Sequence, residues 1–306
     1  DRKRGRAWED GDDASISAIC SANMERGGYE TDFSDLNVQK AVLIAGKKNR
    51  INPVKMDIEA CWKAWKKAGS PVGGLDTYVV RYLHTPDTPF HRESGAMFLI
   101  ASVARTYEPG CKFDCMPVIE GATGSGKSTF SQELFLEEFT SELKVGLEDT
   151  GRLIEATRGF RCIEMAEMRA AKATDSETLK MQLSSSREQH RLAYGRRDML
   201  FPRKYVFIGT SNETDYLTDP TSTRRYWIWR TPLDKHNRVD RDALRDERAM
   251  LWGEAYQRYL DMREAQPHGS LFLDLDGEVA DERDAIAEGS RKRTVVEEIA
   301  DHIAEW

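Results

Sequence analysis

The spacing of apolar residues changes twice along this chain, and those changes divide it. Residues 1–35 are polar and charged, with turn-like stretches such as Glu9-Asp10-Gly11, and are expected to form a flexible N-terminal segment. From 36 to 110 the apolar positions recur at helical spacing. Ile58, Cys61, Trp62 and Trp65 fall on one face of a helix that Gly69-Ser70-Pro71 and Gly73-Gly74 close. A second helix is expected over 76–83 and a third over 95–107, where Phe98, Leu99, Ser102 and Val103 recur before Pro109-Gly110. From 111 short apolar runs alternate with helical stretches, a pattern that predicts a mostly parallel sheet covered by helices. The strands read at 116–119, 160–165, 204–209 and 226–229. Helices follow the first strand (Phe130, Leu134, Phe135, Phe139), open at the capping box Thr174-x-x-Glu177, and run long over 241–263 on Leu244, Leu251, Trp252, Ala255 and Tyr259. A last helical spacing covers 295–306 (Val296, Ile299, Ile303). The expected organisation is thus α/β, with a helical domain at 36–110, a sheet core at 111–235 and a helical region at 236–306.

The link between the first strand and its helix carries the strongest chemical signal. Gly121-Ala122-Thr123-Gly124-Ser125-Gly126-Lys127-Ser128 fits the P-loop pattern G-x-x-x-x-G-K-[ST]. Glycines free the backbone to aim several N–H groups at one phosphate chain, and the following helix adds the positive end of its dipole. In this reading residues 121–129, through Thr129, bind the nucleotide. Lys127 reaches the β- and γ-phosphates of ATP and Ser128 ligates Mg²⁺.

Three later segments supply what hydrolysis requires. The strand at 160–165 ends in Glu164-Met165-Ala166-Glu167; Glu164 suits the metal shell and Glu167 the activation of water. The strand at 204–209 delivers Asn212, whose amide can bridge the γ-phosphate and the attacking water. Arg224 and Arg225 precede the last strand, where adjacent residues point to opposite faces, so one of them can serve a neighbouring subunit as an arginine finger. Between the acidic and asparagine strands, 187–204 holds six Lys/Arg against two acids. Arg187, Arg191, Arg196 and Arg197 with Tyr194 beside the turn-forming Gly195 have the chemistry of single-stranded DNA tracking, basic groups plus a stacking ring.

Composition narrows the setting. The net charge of −7 would argue against a nucleic-acid partner, but that local excess of +4 shows the charge to be segregated. At 40% apolar and 32% charged, with no apolar run of membrane-spanning length, the chain reads as a globular protein of the cytoplasm with no membrane contact. Five cysteines without a C-x-x-C read as reduced thiols rather than a zinc set.

Taken together, the motifs over 54–234 resemble the virulence-associated protein E family of prophages and mobile elements, related to the superfamily 3 helicases of the AAA+ class. The resemblance rests on Ala104-Arg105-x-Tyr107-x-Pro109-Gly110, Ile119-Glu120-Gly121, Ile163-Glu164-x-x-Glu167, Leu179-Lys180, Arg191-Leu192-Ala193-Tyr194-Gly195-Arg196, Gly209-Thr210-Ser211-Asn212-Glu213 and Arg224-Arg225-Tyr226-Trp227. Here Ser222-Thr223 stand where the family usually has Gly-Asn. The resemblance implies an ATP-dependent DNA helicase working as a ring, commonly a hexamer, in the bacterial host cytoplasm. One subunit would give Lys127, Ser128, Glu164, Glu167 and Asn212, and its neighbour Arg224 or Arg225. The segment 187–197 would be the pore hairpin, residues 36–110 an oligomerising collar, and a primase a further partner, since some relatives carry one upstream. Two other readings stay open: a DNA-loading or regulatory AAA+ ATPase without unwinding, and a P-loop phosphotransferase.

Overall fold

A computed structural model describes residues 10–22, 28–29, 33–48, 51–168, 176–190, 198–214, 217 and 224–290. The expected helix at 295–306 and the cap at Thr174 lie outside them. The chain divides into two units, 1–53 and 54–306.

In the first unit, helices α1 (Asp10–Ser21) and α2 (Asp35–Lys48) form a helical pair. Helix α1 falls in the stretch expected to be flexible. The link is tied back to it by the Tyr29 N–H on the Cys20 carbonyl (2.9 Å) and the Ser17 hydroxyl on the Phe33 carbonyl (3.3 Å).

The second unit is built on a five-stranded sheet. Its strands are β1 (Met116–Glu120), β2 (Thr140–Glu142), β3 (Cys162–Met165), β6 (Val206–Ser211) and β7 (Tyr226–Arg230), in the order β2-β3-β6-β1-β7. All four pairings are parallel. Strands β1, β3 and β6 are buried at every residue and β7 at all but Arg230, so they read as continuous apolar runs rather than alternating ones. That is the signature of a sheet covered on both faces. Parallel pairing also brings Glu120, Glu142, Met165, Ser211 and Arg230 to one edge, the edge where α/β sheets of this kind hold ligands. A separate antiparallel pair, β4 (Arg187–His190) and β5 (Met199–Pro202), projects between β3 and β6 in sequence, as the basic segment predicts.

Helices α3 (Pro53–Lys67), α4 (Gly74–Leu83), α5 (Pro89–Tyr107), α6 (Lys127–Phe135), α7 (Thr150–Thr157), α8 (Ser176–Ser184), α9 (Arg241–Ala265) and α10 (Gly277–Glu288) complete the unit. The expected faces are the buried ones, except that Trp62 on α3 is only half-buried: Ile58, Cys61 and Trp65 on α3, Phe98, Leu99, Ser102 and Val103 on α5, and Leu244, Leu251, Trp252, Ala255 and Tyr259 on α9. The change of pattern near 110, however, falls inside one core. The Phe98 ring of α5 meets Phe113, Phe135 of α6 and Trp229 of β7 at centroid distances of 5.6–6.5 Å. Helices 54–107 therefore share their interior with the sheet.

A buried charged network joins the same layers. Arg248 of α9 donates to Asp57 of α3 (2.5 Å) and to the Leu134 carbonyl of α6 (3.0 Å). Fully buried Arg161 pairs with the same Asp57 carboxylate (3.3 Å) and stacks 3.8 Å from the Trp252 ring. Stacking on an aromatic face recovers part of what a guanidinium loses on leaving water. Close approach of α9 to α3 requires Gly253, where a Cβ would stand 2.3 Å from that of Trp65. All five cysteines are free thiols.

Candidate nucleotide site

Strand β1 ends at Glu120 and α6 begins at Lys127, so the glycine-rich loop occupies the turn from a central strand into a helix. Gly124 and Gly126 hold φ of 81° and 94°, values that L side chains resist. The loop faces a cavity of about 440 Å³ lined by Thr123, Gly124, Gly126, Lys127, Ser128 and Thr129 on one side and by Ala166, Glu167, Thr210 and Asn212 on the other. Of the remaining loop residues, Gly121 and Ala122 present their carbonyls to the lysine, and Ser125 is buried behind.

Lys127 is the hub. Its ammonium donates to the carbonyls of Gly121 (2.7 Å) and Ala122 (2.8 Å) and to Oδ1 of Asn212 (2.8 Å). Burial pushes its pKa down, against the opposing pull of Glu164 and Glu167. A partly desolvated cation at the turn from a strand into a helix N-terminus is matched to an incoming anion. Register explains the meeting: β6 pairs with β1 at Glu120↔Ser211, which sets Asn212 beside the loop.

Glu164 lies one strand farther along the sheet, on β3, and is 4% exposed. Its carboxylate accepts from the hydroxyls of Ser128 (2.5 Å), Ser131 (3.0 Å) and Thr210 (3.5 Å). The two metal-ligand candidates, Ser128 and Glu164, therefore sit together. One hydroxyl and one carboxylate are hard oxygen donors in the small number that suits Mg²⁺, which keeps several of its waters. Glu167 follows on a tight turn in which Glu167 and Met168 both take positive φ (51° and 47°). A non-glycine pair in that region is strained, and the turn is held by the Glu167 N–H on the Thr210 hydroxyl (3.2 Å).

The arginine pair lies elsewhere. Arg224 and Arg225 precede β7, whose first residue is level with Met116, whereas the loop leaves β1 level with Arg230. Four residues at about 3.3 Å each put roughly 13 Å of strand between those levels. Arg224 is half exposed, 3.6 Å from Asp114, and Arg225 donates to the Ser184 hydroxyl at 3.3 Å. Asp114, Cys115 and Asp274 bring ligand atoms within 4.8 Å of one another, but Arg224 and Arg283 neutralise the two carboxylates, so the cluster is an ion-pair network at the foot of β7.

The basic hairpin is rooted firmly. Buried Glu188 of β4 accepts from Arg203 at 2.5 Å, and Arg203 also donates to the backbone and side-chain oxygens of Gln182 on α8. Arg187 is exposed at this root, opposite Pro202, beside a smaller hollow that includes Pro109 and Gly110. Arg191, Tyr194, Arg196 and Arg197 lie outside the described residues.

Three residues of the cavity wall carry no signal in the motifs: Val239 and the charged Arg238 and Arg241, in and after the turn that leads into α9. The clue was the basic run Lys235, His236, Arg238, Arg241 just beyond the last strand. Among the described residues, no helix is long and apolar enough to cross a membrane.

No curated protein matches the chain. Among solved structures, it is similar to the A-form apo structure of the NrS-1 C-terminal region, with 14% identity and a TM-score of 0.45, covering 76% of this chain and 54% of that one. An apo structure of the NrS-1 C-terminal region (305–718) gives 13% identity and a TM-score of 0.46 at the same coverage. The chain thus spans about half the length of those structures. The family model for the virulence-associated protein E-like domain matches residues 63–291, three quarters of the sequence, and the chain belongs to that family.

Proposed function

We propose that this protein is an ATP-driven DNA helicase or translocase of the AAA+ P-loop class, working as a ring, with a hexamer as the expected form, in phage or mobile-element replication within the bacterial cytoplasm. The observation that carries the reading is the meeting of Lys127, Ser128 and Asn212 in one cavity at the carboxyl ends of β1, β3 and β6, with buried Glu164 hydrogen-bonded to Ser128 behind its wall. Four polar groups from three strands converge there in the arrangement that phosphoryl transfer to water requires.

In this reading Lys127 exchanges the carbonyls of Gly121 and Ala122 for the β- and γ-phosphates. Ser128 and Glu164 would hold Mg²⁺, whose charge would stabilise negative charge developing on the phosphates. Glu167 orients the attacking water, and Asn212 hydrogen-bonds both that water and the γ-phosphate. Arg224 or Arg225 serves the nucleotide of a neighbouring subunit. Their separation from their own loop along β7 supports a role in trans. The hairpin of Arg187, Arg191, Tyr194, Arg196 and Arg197 tracks one DNA strand. Its root at Glu188–Arg203 is continuous in sequence with β6, which ends at Ser211, one residue before Asn212. A primase is the expected partner in replication.

The test is ATP hydrolysis with and without single-stranded DNA, run beside unwinding of a forked duplex. The expected result is DNA-stimulated turnover with strand separation. Stimulation without separation would make the protein a DNA loader instead, and turnover indifferent to DNA would end the translocase reading.

A further inference from the structure

We propose that Arg238 and Arg241 are phosphate-binding residues that hold a nucleoside di- or triphosphate from the same subunit as the glycine-rich loop. The proposal rests on the nucleotide reading above and adds to it a cationic wall that the motifs do not contain.

The turn at 234–240 is laid directly on the loop. The Val239 N–H donates to the Ser125 carbonyl at 3.0 Å, and a Cβ at Gly126 would come within 3.2 Å of Val239. At Gly124 a Cβ would come within 3.3 Å of that of Lys235. The turn keeps its own shape, because Oδ1 of Asp234 accepts the N–H groups of His236 (2.7 Å) and Asn237 (2.9 Å). Arg238 and Arg241 thereby line the same cavity as Glu167 and Asn212.

Both side chains are available. Arg238 donates through Nε to the Lys235 carbonyl (3.0 Å), which leaves the rest of an exposed guanidinium toward solvent. Arg241 contacts one oxygen of Glu133 of α6 through two nitrogens (2.9 and 3.1 Å), but Arg245 holds both oxygens of that carboxylate by a two-point fork (2.9 and 2.7 Å). Arg245 is the first cause of the lowered pKa of Glu133. Withdrawing Arg241 to a ligand would leave Glu133 charged and paired.

Helix stability does not account for Arg241. It is the first residue of α9, where the macrodipole disfavours a cation, whereas Asp240 and Asp242 at the same terminus are of the favoured sign. An anion in the cavity reverses that balance. With Lys127 the cavity wall then offers three cations against Glu167, matched to a polyphosphate chain.

The experiment is equilibrium binding of a fluorescent ADP, AMP and adenosine series to the full chain, with wild type, K127A, R245Q, R238Q/R241Q and R238K/R241K compared. The double glutamine variant is expected to bind ADP at least tenfold more weakly, with a smaller loss for AMP and none for adenosine. The lysine pair should recover part of the loss, and R245Q, which removes the partner that frees Arg241 from Glu133, should weaken ADP binding by less than the double glutamine variant does. Circular dichroism melts of the ligand-free variants separate lost binding from lost fold. If wild type fails to bind ADP, or K127A binds it as well as wild type, the nucleotide reading itself falls. If those two behave as expected while R238Q/R241Q stays within twofold of wild type, or loses adenosine equally, this proposal alone is overturned.

Discussion

At the scale of single residues the site turns on Lys127 and Glu164, whose environments differ in kind. Lys127 is a cation spending its donors on loop carbonyls, and Glu164 is a buried carboxylate fed by three hydroxyls. Removing the lysine charge removes an attraction to the nucleotide that exists before the transition state, so K127A is expected to weaken ATP binding as well as turnover. Glu164→Gln keeps the shape and the hydroxyl contacts but loses the anion that a metal needs. It should spare nucleotide affinity in the absence of Mg²⁺ and lower turnover by about 10²–10³-fold, a loss of the size seen when one preorganised electrostatic group is deleted. Binding titrations with and without Mg²⁺, beside steady-state ATPase rates, check both. If E164Q turns over normally, the metal assignment is wrong. These two residues were readable in the sequence because their chemistry is local: a fixed spacing within a loop, and an acid at the end of an apolar run. Arg238 and Arg241 were not, because the basic run from Lys235 to Arg241 is a pattern that any solvated turn can show. Only the folding of 234–240 back onto Gly124 and Gly126 makes them neighbours of the loop.

At the scale of elements, periodicity found the faces of α3, α5 and α9 but not their partners. The run through Phe98, Leu99 and Val103 says that one side of α5 is buried; it does not say that Phe98 meets Trp229, 131 residues on. That is why the change from helical to strand pattern near 110 looks like a boundary although the core crosses it. The buried arginines escaped for a similar reason. Arg161 falls inside the strand expected at 160–165 and Arg203 just before that at 204–209, and their burial depends on Trp252, Asp57 and Glu188 brought in from a distance. Glu188 and Arg203 are 7% and 2% exposed, so removing one charge strands the other. Glu188→Gln is expected to cost about 3–5 kcal/mol, read as a lower denaturation midpoint, whereas Arg187→Gln at the exposed root should cost almost nothing. Equal midpoints would show the pair to be a dispensable contact. Helix α5 carries a pH dependence of its own. His91 is buried beside its N-cap Thr88, and burial pushes its pKa down to about 4, against the opposite pull of Glu282 and Asp87. Its folded pKa is below that of the unfolded chain, so the unfolded state takes up the proton first as pH falls. Stability should therefore be full above about pH 6.5 and decline toward pH 4, by about 1–3 kcal/mol for this group. His91→Gln should flatten that part of the stability profile; an unchanged slope between pH 6.5 and 4 would assign the decline to other groups.

For the whole molecule, the question is whether one chain holds a complete site. The cations divide into two sets by their place on the sheet. Lys127, Arg238 and Arg241 surround the loop at the carboxyl edge, and Arg224 and Arg225 stand at the opposite end of β7, roughly 13 Å of strand away. An arginine side chain does not span that distance to its own nucleotide, but a head-to-tail interface repeated around a ring would bring the foot of one β7 toward the loop of the next copy. Complementation tests this more sharply than single variants do. A K127A subunit lacks the loop lysine but offers intact arginines, and an R224Q/R225Q subunit has an intact loop but lacks the arginines. Each should be inactive alone. Mixed in equal parts and allowed to exchange, random rings would carry a complete pair at about one quarter of their interfaces, because a site then needs the loop of one type and the arginines of the other. ATPase activity is thus expected to reappear on mixing and to peak near equimolar proportions. If the arginines act in cis, every subunit in the mixture carries a broken site and no proportion restores turnover. The same outcome, with wild-type chain remaining a monomer by mass in the presence of ATP and Mg²⁺, would remove the ring as well as the finger. Recovery on mixing would mean that the arginines near Asp114 complete a site whose loop, metal shell and cis cations lie at the other edge of a neighbouring sheet.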